Sequence, residues 1–235
     1  MRHIRNSLRQ WPLALLCGAL MVSAQAAGPL VTDDASIVDP GACQLETWFK
    51  RNRDSSETWL QSACNPTGNL ELTLGGARTS DAGGTRTSDL VVQLKTIVKP
   101  LETNGWGWGL AFGSNRQPDP DGTREWYATL PLSVSFDDDR LLLHANLGWL
   151  REQEQRRDRL TWGVATEKQL DARNWLIAEV FGQHQGRPYY QFGLRHWLLP
   201  ERAQIDLTYG NRFGRDDAGH WLSIGLRLLS PAFLH

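Results

Sequence analysis

The chain has 235 residues, with 25 lysines and arginines against 26 aspartates and glutamates and a formal net charge of −1. That balance carries no basic stripe and argues against a nucleic-acid partner. Eleven tryptophans are heavy use of a ring that serves either cores or membrane interfaces, and no segment past the first 27 residues is apolar enough for a transmembrane helix.

In chain order, MRHIRNSLR is basic without an acid, WPLALLCGALMV is an apolar run too short to span a bilayer, and SAQAAG supplies small residues in an A-x-A pattern. This is the secretory signal-peptide pattern, so residues 1–27 are expected to be removed. Cys17 follows Leu16, where a lipoprotein anchor would want a small residue, and belongs to the leader. Loss of Arg2, Arg5 and Arg9 leaves 22 basic against 26 acidic residues, a charge near −4. Cys43 and Cys64 remain, an even pair in an exported chain.

Residues 28–41 contain the polar stretch VTDDASIVDPG, and from residue 42 onward nearly every segment alternates with period two. Leu70, Leu72 and Leu74 oppose Glu71 and Thr73. Leu90, Val92, Leu94, Thr96 and Val98 oppose Gln93, Lys95 and Lys99, and Trp106, Trp108, Leu110 and Phe112 oppose glycine and alanine. RLLLHANLGW, RLTWGVATEK, WLIAEVFGQ, YYQFGLRHW, AQIDLTYG and WLSIGLRLL repeat the scheme, which is strand periodicity. With ACQLETWFK, SETWLQSAC and WYATLPLSVSF the count is about twelve strands of about ten residues, 10–12 being compatible, the length of membrane-spanning barrel strands.

If the first strand runs outward, CNPTGN, KPLETNG, FDDDR, QLDARN and LPER are inner turns. GARTSDAGGTRTSD, SNRQPDPDGTRE, REQEQRRDR and NRFGRDDAGH are then the longer outer loops expected of such barrels, with RNRDSS the short exception. Alternation alone does not separate a soluble barrel from a membrane barrel. The polar face carries Glu46, Glu71, Lys95, Glu167, Glu179, Arg195, Asp206 and Arg227, and also Gly75, Gly107, Gly148, Gly163, Gly193, Gly210 and Gly225. Glycine weakens a solvent-facing strand but makes room in a crowded lumen, which favours the membrane barrel.

The opening PLVTDDASIVDPGACQLE resembles the P-L-x-T-D-D-A … G-x-x-Q-x-E start of the outer-membrane barrels named for the MetA pathway of phenol degradation. VVQLKTIVK, LLHANLGW, LIAEVFG, FGLRHWL and LSIGLRL resemble that family's Q-x-K, N-x-G, E-x-F-G and G-L-R strand motifs. The resemblance implies an outer-membrane barrel concerned with movement of hydrophobic or aromatic compounds. The chain departs from the usual aromatic ending of such barrels, since it closes SPAFLH with Phe233 two residues inside.

On such a barrel Glu46, Glu71, Lys95, Glu179, Arg195, Asp206 and Arg227 line the lumen. They form either a polar constriction that selects what passes or an ion-pair network that plugs the lumen and fixes register. Thr32, Asp33 and Asp34 are expected to form a luminal strap, with Asp33, Asp34 and Asp39 facing Lys95, Arg195 or Arg227. Two adjacent aspartates and one more six positions from Asp33, without a nearby histidine, are a weak metal ligand set, so no metal or cofactor is expected. Cys43 and Cys64 stand nearly opposite in a hairpin turning near Arg53 and Asp54, and the oxidising periplasm favours a disulfide.

Ser133 and Ser135 lie on the strand before His144 and Asn146, a distant echo of lipid-hydrolysing barrels. Alternation explains HANLG, so no catalysis is expected. Trp106, Trp126, Trp149, Trp162 and Trp221 suit a membrane belt, while Trp48, Trp175 and Trp197 suit the lumen. Arg151, Arg156, Arg157 and Arg159 offer a contact to lipopolysaccharide phosphate, or simply a solvated loop. The expectation is therefore an all-β, antiparallel outer-membrane barrel of a Gram-negative cell, spanning residues 42–235 and preceded by a periplasmic or luminal segment, 28–41. It would pass a small molecule, with a closed structural or binding barrel and a lipid-modifying enzyme as the alternatives. Its partners would be outer-membrane lipid, lipopolysaccharide and the barrel-assembly machinery.

Overall fold

A computed structural model describes residues 30–81, 83–84, 86–118, 123–154, 156–214 and 219–234. The expected signal peptide, residues 1–27, lies outside the described residues. The described chain carries twelve strands: β1 (Cys43–Asn52), β2 (Ser55–Cys64), β3 (Glu71–Asp81), β4 (Arg86–Lys99), β5 (Trp106–Arg116) and β6 (Arg124–Phe136). The series continues with β7 (Leu141–Glu152), β8 (Arg157–Gln169), β9 (Asn174–Gln183), β10 (Tyr189–Leu199), β11 (Ala203–Arg212) and β12 (Trp221–Leu229). Each pairs antiparallel with its neighbours in sequence, and β1 closes on β12.

Closure removes every strand edge, and alternation then sorts the side chains. Leu74, Leu90, Leu110, Phe112, Leu147, Leu194 and Leu207 are exposed on the outside, while Glu46, Glu71, Lys95, Glu167, Glu179, Arg195 and Arg227 are buried inside. Apolar surface on this scale needs a hydrocarbon solvent, which makes the molecule an outer-membrane barrel. On β6 the exposed aromatics Trp126 and Phe136 lie ten residues apart. That is about 33 Å along the strand, and roughly 25 Å of membrane height after tilting.

The start of β1 and the end of β12 lie at one rim, called here the terminal rim. Ser230 N–H donates to the Cys43 carbonyl at 2.9 Å, and the N–H groups of Phe233 and Leu234 donate to the Gly41 carbonyl. The opposite, far rim carries the expected outer loops, and the length rule does not hold there. GARTSDAGGTRTSD and REQEQRRDR pair as strand for most of their length, because β3 runs to Asp81, β4 starts at Arg86, β7 runs to Glu152 and β8 starts at Arg157. Polar residues extend these hairpins beyond the apolar band, and polarity had disguised them as loop.

Trp221 also departs from expectation. It is buried in the lumen, because Leu222, Ile224 and Leu228 take the outward positions and leave Trp221 on the face of Ser223 and Arg227. Gly210 provides its space: a Cβ there would sit 2.1 Å from the Trp221 ring.

Candidate functional site

The lumen is filled from the terminal rim by the strap, residues 30–42, which runs inside the barrel and forms no strand. A closed barrel has no edge to pair with, so the strap's backbone donors are met by side chains of the wall. Glu71, on β3, accepts from Val38 N–H at 2.9 Å, and Ser133, on β6, accepts from Ala35 N–H at 2.8 Å. Asn146, on β7, exchanges two hydrogen bonds with the Asp33 backbone, both at 2.7 Å. Deepest in, Glu179, on β9, receives Val31 N–H at 2.9 Å and Thr32 N–H at 2.8 Å, and is braced by Gln191 Nε2 at 2.6 Å. Asn65, fully buried, donates to the Val38 carbonyl at 2.8 Å.

The two consecutive aspartates meet one cation. Lys95 Nζ lies 2.7 Å from Asp33 Oδ1 and 3.2 Å from Asp34 Oδ1. The side chains of Lys95 and Asp34 are 4% and 3% exposed, so the Asp34 pair is made away from bulk water. Burial works against the ionised Asp34 carboxyl, but the Lys95 ammonium, aided by His144 and Arg227, outweighs it and holds the group below its usual range. An ammonium thus stands where a metal ion would have to bind. Asp39 is exposed, and its carbonyl closes the turn to Ala42 N–H.

The other expected lumen residues pair among themselves. Arg195 grips Asp206 through Nε at 3.0 Å and Nη2 at 3.1 Å, and donates from Nη1 to Glu167 at 2.6 Å. The register brings these together, with Arg195 opposite Asp206 and Glu46 opposite Arg227. Arg227 lies 3.5 Å from Glu46 and also donates to Gln44. Arg195 and Arg227 were expected as alternative partners of the strap aspartates. Arg195 is held by the carboxylates Asp206 and Glu167, while Arg227, beside Glu46, also acts on Asp34 of the strap.

Glycines shape the lumen around these contacts. A Cβ on Gly163 would sit 2.4 Å from Thr32 Oγ1, and one on Gly113 would sit 2.4 Å from the Tyr127 ring. Beyond the strap, towards the far rim, the lumen holds a cavity of about 900 Å³ lined by Trp48, Trp59, Gln93, Tyr127, Arg159 and Arg212, among others. Trp48 and Trp59 stack at 5.3 Å across the β1–β2 pair. Phe181 stacks on Tyr189 at 5.5 Å, with Trp221 tilted against both.

Cys43 and Cys64 are bonded, directly opposite in the β1–β2 register. Ser133 Oγ lies 2.7 Å from His144 Nδ1, and His144 Nε2 lies 3.9 Å from Glu167. The three are sealed, at 0%, 1% and 1% exposure, and the Ser133 hydroxyl is occupied by the strap. Of the residues weighed for catalysis, Ser133 and Asn146 are strap anchors. The supposed lipid-binding loop also divides: Arg159 turns inward to Glu152 and Gln183, and Arg151 pairs with Asp158. The aromatic cluster of Phe181, Tyr189 and Trp221 was missed, although all three share strand parity with charged lumen residues.

A family profile described as "Uncharacterised conserved protein UCP029691" matches residues 14–229. No curated protein matches the sequence. Among solved structures, the KdgM porin superposes with a TM-score of 0.61 at 8% identity, covering 79% of this chain and 98% of that one. A COG4313 outer membrane channel from Pseudomonas putida F1 gives 0.58 at 10% identity, covering 84% and 98%. The outer membrane phospholipase A from Escherichia coli gives 0.51 at 11%, covering 86% and 94%. At these identities the likeness is one of fold, which is that of outer-membrane porin-like barrels.

Proposed function

The chain belongs to that uncharacterised family, and we propose that it is a channel of the outer membrane for a small molecule, with residues 28–41 as its constriction. The observation that carries this is the division of the lumen: an open cavity of about 900 Å³ ends on a segment tied to the wall through noncovalent contacts. A plug meant only to stabilise the barrel would not need an open vestibule behind it. In this reading the terminal rim faces the periplasm, Thr32, Asp33 and Asp34 are the strap, and Glu46, Glu71, Lys95, Glu179, Arg195, Asp206 and Arg227 set the width and charge of the remaining path.

The cargo is a small molecule with an apolar or aromatic face. The stacked Trp48 and Trp59 and the Phe181–Tyr189 pair support this, as does the resemblance of PLVTDDASIVDPGACQLE to the phenol-degradation barrels. The protein is not an enzyme in this reading, because the Ser133–His144 pair faces the lumen and is covered by the strap. Folding by the barrel-assembly machinery and contact with lipopolysaccharide complete the proposal.

Planar-bilayer recording of the wild type and of a variant lacking residues 30–39 tests it. Small stepwise conductance that grows on deletion is the expected result. A folded, heat-modifiable barrel silent in both forms would overturn the channel and leave a closed structural barrel.

A further inference from the structure

The outward face of the far rim is charged in a way the lumen does not explain. Among the described strand residues it carries Arg51, Arg78, Arg116, Arg124 and Arg151 against a single carboxylate, Asp158. Arg151 is taken by Asp158. Arg116 and Arg124 stand directly opposite each other in the β5–β6 register. Both share the outward parity of Phe112 and Trp126, which are exposed. Neither guanidinium has an ion pair among the described residues, and Glu154, the carboxylate beside them, accepts the Arg124 backbone N–H at 2.7 Å.

Like charges directly opposite on one sheet face destabilise it, with Cβ atoms only about 5 Å apart. Outward cations of the terminal rim are handled differently: Lys99, which a register shift after Ile97 brings from its expected lumen face to the Trp106 ring, lies 3.6 Å from Glu102, and Lys168 lies 3.5 Å from Asp137. The depth of the arginine pair is also defined. Arg124 lies two residues beyond Trp126, which stacks on Phe112 at 5.7 Å in the aromatic belt that marks the membrane interface. In the register Arg151 flanks Trp126. Two planar forks without an ion pair among the described residues, and a third nearby that Asp158 holds, therefore sit at head-group height, above an aromatic shelf that can receive acyl chains.

We propose that Arg116 and Arg124, with Arg151 at the side, bind a phosphate of a lipopolysaccharide molecule in the outer leaflet. A phosphate between the two guanidiniums would accept bidentate hydrogen bonds from both and cancel their repulsion. The site rests on the proposed orientation and lipopolysaccharide contact and does not depend on transport. It differs from the loop set expected from the sequence, of which Arg159 faces inward.

The test uses the full-length protein purified in detergent, with bisphosphorylated lipid A, the same lipid dephosphorylated, and inorganic phosphate as probes. Native mass spectrometry reads bound lipid, and gel heat-modifiability reads folding. Wild-type protein should bind bisphosphorylated lipid A, and Arg116→Gln/Arg124→Gln should weaken this roughly tenfold or more while the barrel stays folded. Arg116→Glu guards against a merely misfolded variant, because it restores an ion pair with Arg124 and should hold or raise the unfolding temperature while losing lipid. Single-channel conductance of the double variant should match wild type, so failure of this site and failure of the channel reading are separable. Equal binding by the double variant, equal binding of dephosphorylated lipid, or saturation by inorganic phosphate alone would each overturn the proposal.

Discussion

Replacing Lys95 with methionine keeps most of the buried stem and removes only the ammonium. In the native lumen that ammonium lies 2.7 Å from Asp33 and 3.2 Å from Asp34, and Asp34 has almost no access to water. Breaking a buried pair by removing one partner costs about 3–5 kcal/mol, because the other charge stays behind without compensation. The strap can leave the lumen and rehydrate both aspartates, whereas the wall cannot move. The penalty therefore falls on docking, and 3–5 kcal/mol shifts the docked-to-released ratio by roughly a hundred- to several-thousand-fold. Single-channel recordings at about pH 8, where Asp34 cannot escape by taking up a proton, should show Lys95→Met mostly in a large-conductance state that the wild type rarely visits. Adding Asp33→Asn and Asp34→Asn should return the strap to the lumen and the conductance towards wild type. A Lys95→Met barrel that folds and conducts as the wild type does would refute the idea that this ion pair holds the strap.

Acid should release the strap too. A carboxyl held below its usual range, as Asp34 is by Lys95, contributes stability that is present at neutral pH and lost as pH falls through its depressed value. Conductance should therefore rise on acidification as Asp34 takes up its proton, whereas Asp33, which burial pushes above its ordinary value, takes its proton first; a conductance unchanged down to the acid limit of the folded barrel would refute the role of Asp34. Gly163→Leu would drive side-chain atoms into Thr32, whose Oγ1 lies 2.4 Å from the Cβ position, so the large-conductance state should appear without loss of heat-modifiability, and Thr32→Gly should partly reverse it. Reducing the Cys43–Cys64 bond, which spans a sequence separation of 21, should cost about 3 kcal/mol in the chain-entropy account. The urea midpoint in lipid vesicles should fall on adding reductant, and coincident curves would count against that estimate.

The strands and the side of the sheet each residue takes were legible because period two is a direct consequence of backbone geometry. Glu71 and Lys95 announce the lumen once Leu72 and Leu94 are recognised as facing lipid. Which charge meets which was not legible, since a partner depends on register between strands far apart in the chain. Arg195 finds Asp206 across β10–β11 and Glu167 from β8, a choice that alternation leaves open. Trp221 shows a second limit: its size and hydrophobicity suggest lipid, yet parity with Arg227 was the better guide. Polar hairpin ends such as TSDAGGTRTSD were mistaken for loop because strand pairing beyond the membrane no longer needs an apolar face.

The aspartate pair follows from closure itself. A segment lodged in a barrel borrows few backbone partners from the wall, because the wall's N–H and carbonyl groups point along the sheet into the ladder. Its own N–H groups then demand acceptors on side chains, and Glu179, Asn146, Ser133 and Glu71 supply them at successive depths. Two of those acceptors are carboxylates, so the strap brings no cation of its own to a lumen already rich in negative charge. Lys95 balances that charge on the wall side, and Asp33 and Asp34 fix the strap to it at the level where Thr32 and Gly163 meet. The grip comes from a few polar contacts rather than from continuous pairing, so a modest change in charge can reverse docking while the twelve-strand wall stays intact. A strap built as a thirteenth strand would have no such separation between plug and wall.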